Sequence, residues 1–302
     1  MKLLITGAGG FVAGSVIAQA PGGMEIHALS RHEPESLPAH VHFHAADITD
    51  HSMMTTLLEQ VRPQVVLHTA AMANIDTCQA QPDQARAVNT MATAFLADQC
   101  ARLGARLVFC STDSIFDGVK GMYTEEDEPH PVNVYAETKV AAEKAVLAAS
   151  GHNLVARLSL VMGLPVIGKG NSFLADLIRK MEKGETMNFP FNEIRTPIDV
   201  ITLGAALLEL CQLDIGGVVH LSGNTRTNRF DMAGRIATYL GIPAEQQKLI
   251  LGTDSNAIEG RAKRPNDASM NNARARGLLK TPMKDLEEGL ELIMHNPWKK
   301  DI

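Results

Sequence analysis

The chain has 302 residues, room for one large α/β domain or two domains, and enough to bury a core without disulfide or metal staples. Its 28 Lys and Arg against 34 Asp and Glu leave a net charge of −6, which argues against sequence-independent nucleic-acid binding, and 45% hydrophobic with 21% charged residues excludes a disordered chain. With no apolar run near the roughly 20 residues of a membrane span, a glycine-rich start too early for a signal peptide and four scattered cysteines, the expectation is a reduced, cytoplasmic protein that binds neither nucleic acid nor membrane.

In chain order, residues 2–6, 25–29, 41–44, 65–68, 106–110 and 154–158 read as strands, and about 11–20, 51–61, 83–103 and 133–150 as helices. Strand and helix in regular alternation predict βαβ units and a parallel sheet. The near-continuous apolar character of the strands fits a sheet covered on both faces. After about residue 160 the alternation weakens. Helical stretches near 172–183, 199–212, 229–240 and 283–294 enclose short strand-like pieces at 186–189, 194–198, 217–221 and 247–251. The expected fold is α/β: a doubly wound, Rossmann-like parallel sheet over residues 1–160, with a smaller α+β substrate lobe over 161–302, interleaved with the first at its boundary.

The first strand runs into Gly7-Ala8-Gly9-Gly10-Phe11-Val12-Ala13 and then a helical pattern. Gly7 suits a tight turn, Gly10 a close backbone approach to a pyrophosphate, and Ala13 close helix–strand packing; the helix start offers N–H groups to an anion. A glycine triplet can be a plain structural turn, but its place after the first strand of a βαβ series favours a dinucleotide. The second strand ends in Ser30-Arg31, with no acid to bind a ribose 2′-hydroxyl. A hydroxyl and a guanidinium suit a 2′-phosphate, so NADP is favoured over NAD, against the plain alternative of a solvated loop charge.

Tyr135 and Lys139 stand at i and i+4, on one face of a helix. A phenol has a pKa near 10, and a nearby ammonium can lower it toward useful proton transfer. Upstream, Cys110-Ser111-Thr112-Asp113-Ser114 falls at the C-terminal end of a predicted strand, where doubly wound sheets build their sites.

These residues carry a resemblance. Together with His68-Thr69-Ala70-Ala71, Asn89, Ser111-Thr112-Asp113 through Phe116-Asp117-Gly118, Tyr123-x-Glu125, Pro131-x-Asn133-x-Tyr135, Asn171-x-Phe173 and Arg264-Pro265, they make the chain similar to the extended short-chain dehydrogenases/reductases, and among them to the dTDP-4-dehydrorhamnose reductases. The resemblance spans nearly the whole chain and thins after about residue 160. It implies hydride transfer from NAD(P)H to a sugar C4 ketone, with Tyr135 as proton donor, Lys139 tuning it and anchoring the nicotinamide ribose, and Thr112 on the substrate oxygen. It also implies Phe11, Val12, Asp47, Ile48, Thr69, Ala70, Ala71, Asn89 and Ser111 at the cofactor. For a nucleotide-sugar substrate it implies Met72, Thr112, Asp113, Ser114, Leu160, Asn171 and Arg264. Relatives usually carry Tyr where Ser114 stands, an aromatic residue in the segment 157–163, and Gly where Ala136 stands. Two missing rings predict a substrate other than the usual deoxyhexose.

Other signals are weaker. His40, His42 and His44 share one strand face and could ligate zinc or nickel, though a solvated face is the plainer reading. Asp47 could equally cap a helix, residues 125–128 form an acidic loop cluster, and small residues over 140–149 would suit a homodimer. Two rival functions remain at this stage: an epimerase or dehydratase of the same superfamily, or a non-catalytic NADP-binding regulatory subunit.

Overall fold

In the computed structural model, which describes residues 1–167 and 172–298, the glycine turn after β1 (Lys2–Thr6) leads into α1 (Phe11–Gln19). The same strand-to-helix step recurs through β2 (Glu25–Ser30), β3 (His42–Ala45), α2 (His51–Val61), β4 (Val65–His68), α3 (Ile75–Ala80), α4 (Ala92–Leu103), β5 (Arg106–Thr112), α5 (Val134–Ala149) and β6 (Leu154–Leu158). The lobe adds α6 (Phe173–Glu182), and then α7 (Val200–Gln212) leads into β7 (Gly217–Leu221). Two further long helices follow, α8 (Arg229–Tyr239) and α9 (Leu286–His295).

All seven labelled strands form one sheet in the order β7-β6-β5-β4-β1-β2-β3, every pair parallel. The order reverses between β1 and β4, and a crevice opens there at the strands' C-terminal ends. Apolar strand residues alternate between two cores. Leu3 and Ile5 face α1 and α7, with Val16, Leu203 and Leu207. Leu4 and Leu29 face α2, α4 and α5, with Leu58, Leu96 and Val146. A third core, with Leu174, Leu177, Ile236 and Leu290, holds the lobe. The result is the expected Rossmann-like α/β architecture.

Three expectations need correction. Residues 217–221, read as part of the lobe, pair with β6 from Gly217↔Leu154 to Leu221↔Leu158 and complete the main sheet. The stretch 83–103 is not one helix: a short turn at Pro82–Ala85 passes through a π-helical turn, Arg86–Met91, before α4 begins. The piece at 194–198 splits into Ile194–Arg195 and Ile198–Asp199, because Pro197 between them has no N–H to give a ladder. All four cysteines are buried and unbridged. Among the described residues, no helix is long and apolar enough to cross a membrane.

Candidate active site

At the crevice the structure has a cleft of about 800 Å³. Gly7, Gly10, Ser30, Arg31, Asp47, Ile48, Thr69, Ala70 and Ala71 line it, as expected of cofactor-binding residues, and so does Met72. Gly7 has φ +75°, and a Cβ there would lie 3.0 Å from the backbone of Ala70, so the turn admits only glycine. Gly10 caps α1 without any side chain, which leaves the first helical N–H groups to an anion. Arg31 stands exposed at the rim. The Asp47 carboxylate is held below its usual range by hydrogen bonds from the Thr49 N–H and hydroxyl, and less by the Arg31 charge. The cap of α2 is Asp50, which accepts from Met53 N at 2.9 Å, so Asp47 remains at the cleft. Ser30 Oγ donates to His32 O at 2.7 Å, and Ser111 Oγ is buried without a partner among the described residues. A glycine cradle, an uncapped helix start and a rim guanidinium together fit a phosphorylated dinucleotide; Ser111 does not line this cleft.

The floor of the cleft is tied down by buried polar groups. His68 is fully buried, with Nδ1 2.7 Å from Thr6 Oγ1 and Nε2 2.9 Å from Thr93 Oγ1. Burial pushes its pKa down to about 3, so the ring is neutral. Asn89, on the π-helical turn, accepts from Met72 N at 2.8 Å and donates to Met72 O and Thr138 Oγ1. Its amide therefore braces the 69–72 loop against α5; it does not line the cleft. Phe11 and Val12 do not line it either; the Phe11 ring reaches toward Gly163.

The proton-transfer group assembles beside this floor. Asn133 caps α5 by accepting from Ala136 N at 2.9 Å, which sets Tyr135 and Lys139 on the helix's first turns. Tyr135 packs with Cys78, Ala85 and Met72. Burial pushes its phenol up from the usual value, contact with the Thr112 hydroxyl pulls the other way, and Asp113 adds a smaller upward push. Lys139 Nζ donates to Cys110 O at 2.7 Å and lies 4.0 Å from the Phe109 ring centroid. Burial brings its pKa down to about 8. The expected lowering of Tyr135 by Lys139 is absent from this arrangement, and burial dominates both groups.

Of the expected substrate residues, Thr112, Asp113 and Ser114 sit together at the end of β5. Asp113 is buried, accepts from Ser114 Oγ at 3.1 Å and Ser159 Oγ at 3.3 Å, and faces Arg195 Nε at 3.5 Å. Burial raises its pKa despite the arginine. Sequence reading gave no hint of Arg195: a single buried cation in a two-residue strand has no periodic signature. Leu160 packs against the lobe core. Arg264 is clamped on Asp76 of α3 by two hydrogen bonds of 2.6 Å, so its guanidinium braces a loop. Asn171 lies outside the described residues.

Several quoted motif residues prove to be scaffolding. Tyr123 stacks on Phe116 with centroids 4.0 Å apart and donates to Asp117. Gly118, at φ +80°, lets Pro265 and Asn266 approach so closely that a Cβ would meet Asn266 N at 2.4 Å. In the acidic cluster, Glu125 accepts from His220 N at 2.9 Å and Asp127 pairs with Lys120 at 2.6 Å. On α5, Ala142 and Val146 are consumed by the chain's own core, while Leu147 is exposed. His40 precedes β3 and lies outside the strand face shared by His42 and His44.

Comparison with known proteins places this geometry in a family. The model of the RmlD substrate binding domain matches residues 1–297. The methionine adenosyltransferase 2 subunit beta of Rattus norvegicus is 31% identical over 274 residues, 89% of this chain and 80% of that protein. The dTDP-4-dehydrorhamnose reductase of Mycolicibacterium smegmatis is 30% identical over 296 residues, 96% of this chain and 84% of that one. The crystal structure of a dTDP-4-dehydrorhamnose reductase from Bacillus anthracis in complex with NADP superposes with a TM-score of 0.83 at 24% identity, covering 97% of this chain and 98% of that chain. With the doubly wound sheet, the glycine cradle and the Tyr135/Lys139 pair, the match over nearly the whole sequence shows that the chain belongs to the RmlD substrate-binding-domain family, within the extended short-chain dehydrogenases/reductases.

Proposed function

We propose that this protein is an NADP-preferring reductase of a nucleotide-linked 4-keto sugar. The observation that carries the reading is the convergence of Thr112, Tyr135 and Lys139 at the C-terminal edge of the sheet, beside a cleft built around Gly7, Gly10 and Arg31. The α1 N-terminus would hold the pyrophosphate, Ser30 and Arg31 the 2′-phosphate, and Ser111 a further polar group. When bound, NADPH supplies the hydride. Tyr135, kept protonated by burial, gives its proton to the ketone oxygen, and the Thr112 hydroxyl holds that oxygen in place. Lys139, protonated at neutral pH, offers donors to a ribose hydroxyl. The region after residue 160, apart from α7 and β7, forms the substrate lobe. Ser114 and Leu160 are smaller than the rings relatives carry there, so dTDP-4-dehydrorhamnose is a poor substrate and another 4-keto sugar a better one.

The test is a panel of nucleotide 4-keto sugars with NADPH, following loss of the reduced cofactor. Tyr135→Phe should lower the rate by about 10²–10⁴-fold and leave NADPH binding unchanged. Turnover that survives this change means the acid is elsewhere. A second reading rests on the 31% identity to an adenosyltransferase subunit: the chain binds NADP and regulates a partner enzyme without turnover. Silence on every sugar, with NADPH still bound and an adenosyltransferase co-purifying, favours that reading.

A further inference from the structure

We propose a transition-metal site on the outer edge of the sheet, formed by Glu25, His27 and His42 with His44 beside them, suited to a borderline divalent ion such as Zn²⁺, Ni²⁺ or Co²⁺. Glu25 and His27 are two apart on β2 and so share a face, and His42 on β3 stands opposite His27 in register. One ligand atom from each of Glu25, His27 and His42 lies within 4.8 Å of the others. His27 is almost buried, with Nδ1 2.8 Å from His44 Nε2 and Nε2 3.0 Å from Glu25 Oε1. Its ring stacks on those of His42 and His44, with centroids 4.9 and 5.1 Å away.

Lys2 Nζ reaches Glu25 Oε1 at 3.1 Å, so a flexible ammonium now balances the carboxylate an ion would use. Imidazoles with one carboxylate suit Zn²⁺ and its neighbours, whereas Mg²⁺ and Ca²⁺ require oxygen ligands. Bringing ligand atoms that already lie within 4.8 Å of one another onto bonds of about 2.0–2.2 Å calls for side-chain rotation at exposed Glu25 and His42. None of the four residues lines the cofactor cleft. An ion here would clip the edge strand β3 to β2.

The experiment uses tag-free, full-length protein titrated with Zn²⁺ against a chromogenic chelator, with Co²⁺ absorption and Tm as further readouts. One equivalent should bind, with a rise in Tm that Mg²⁺ does not give. His42→Ala and Glu25→Gln are surface changes that should leave the metal-free Tm and NADPH binding as they were. Each should weaken Zn²⁺ at least about tenfold, the lower end of the effect seen for outer-shell partners. His40→Ala should leave affinity unchanged. Absence of stoichiometric uptake overturns the site, and so does uptake indifferent to both His42→Ala and Glu25→Gln.

Discussion

At the scale of single residues, Arg31 and Lys139 separate cofactor choice from site chemistry. Arg31 is the cationic side chain on the rim of the dinucleotide cleft. Arg31→Asp removes a charge-assisted contact and adds repulsion, so NADPH affinity should fall by about 2–3 kcal/mol, roughly 30- to 150-fold, with NADH nearly unaffected in parallel titrations. Equal losses for both cofactors would remove the 2′-phosphate from its role. Lys139 is costly to keep. Its amine has a pKa of 10.5 in the open chain and about 8 when folded, a penalty on the order of 3 kcal/mol. The unfolded chain binds more protons between those values, so the penalty is full below about pH 8 and disappears as pH rises to 10.5. Lys139→Met should therefore lose turnover but gain stability relative to wild type at pH 7, and that gain should shrink at pH 10 in denaturant unfolding. A gain independent of pH would show that the amine is not depressed.

At the scale of elements, α5 matters most, because it carries both Tyr135 and Lys139. Two fasteners hold it. The first is the Asn133 cap, whose Oδ1 accepts from Ala136 N. The second is a fully buried ion pair from Glu143 to Arg157 on β6, Nη2 to Oε2 at 2.9 Å. Removing one partner of a buried pair leaves the other charge stranded, so Glu143→Ala should cost about 3–5 kcal/mol. Glu143→Leu combined with Arg157→Met should recover much of that in chemical denaturation. The ion pair was not legible, since a strand covered on both faces is read as wholly apolar and Arg157 breaks that rule. Nor was the π-helical turn at Arg86–Met91: one extra residue in a helical turn leaves the apolar pattern nearly intact while swinging Asn89 toward Met72. The acceptor that pins Arg264 was equally hidden, because Asp76 lies far away in sequence and only folding brings the two together.

At the scale of the molecule, the parallel sheet was legible because strand and helix alternate with such regularity through residue 158. Its final strand was not, since β7 returns to the sheet only after the chain has left for the lobe and come back through α7. The two halves consequently share one sheet and one core. Leu203, Leu207 and Leu210 of α7 are fully buried, and losing all three contributions removes about 4–9 kcal/mol, much of a typical domain's stability. A fragment of residues 1–160 should accordingly be insoluble, or lack near-UV circular dichroism, although it holds the whole glycine cradle and the Tyr135/Lys139 helix. A soluble, NADPH-binding fragment would show that the boundary at 160 is a true domain edge.

The threonine–histidine floor of the cleft has a direction. Ala70 N–H donates to Thr6 Oγ1, and Thr93 Oγ1 donates to Asn89 O. Thr93 has therefore spent its proton and must accept from His68 Nε2–H, which leaves His68 Nδ1 as the acceptor of the Thr6 hydroxyl proton. One tautomer alone satisfies every partner, and an imidazolium, with two donors, would take this acceptor away from the Thr6 hydroxyl proton. Five groups in a row thus point the same way, from the Ala70 loop at the cleft toward the π-helical turn. Their aligned dipoles give the floor a polarity that no single residue in the row possesses.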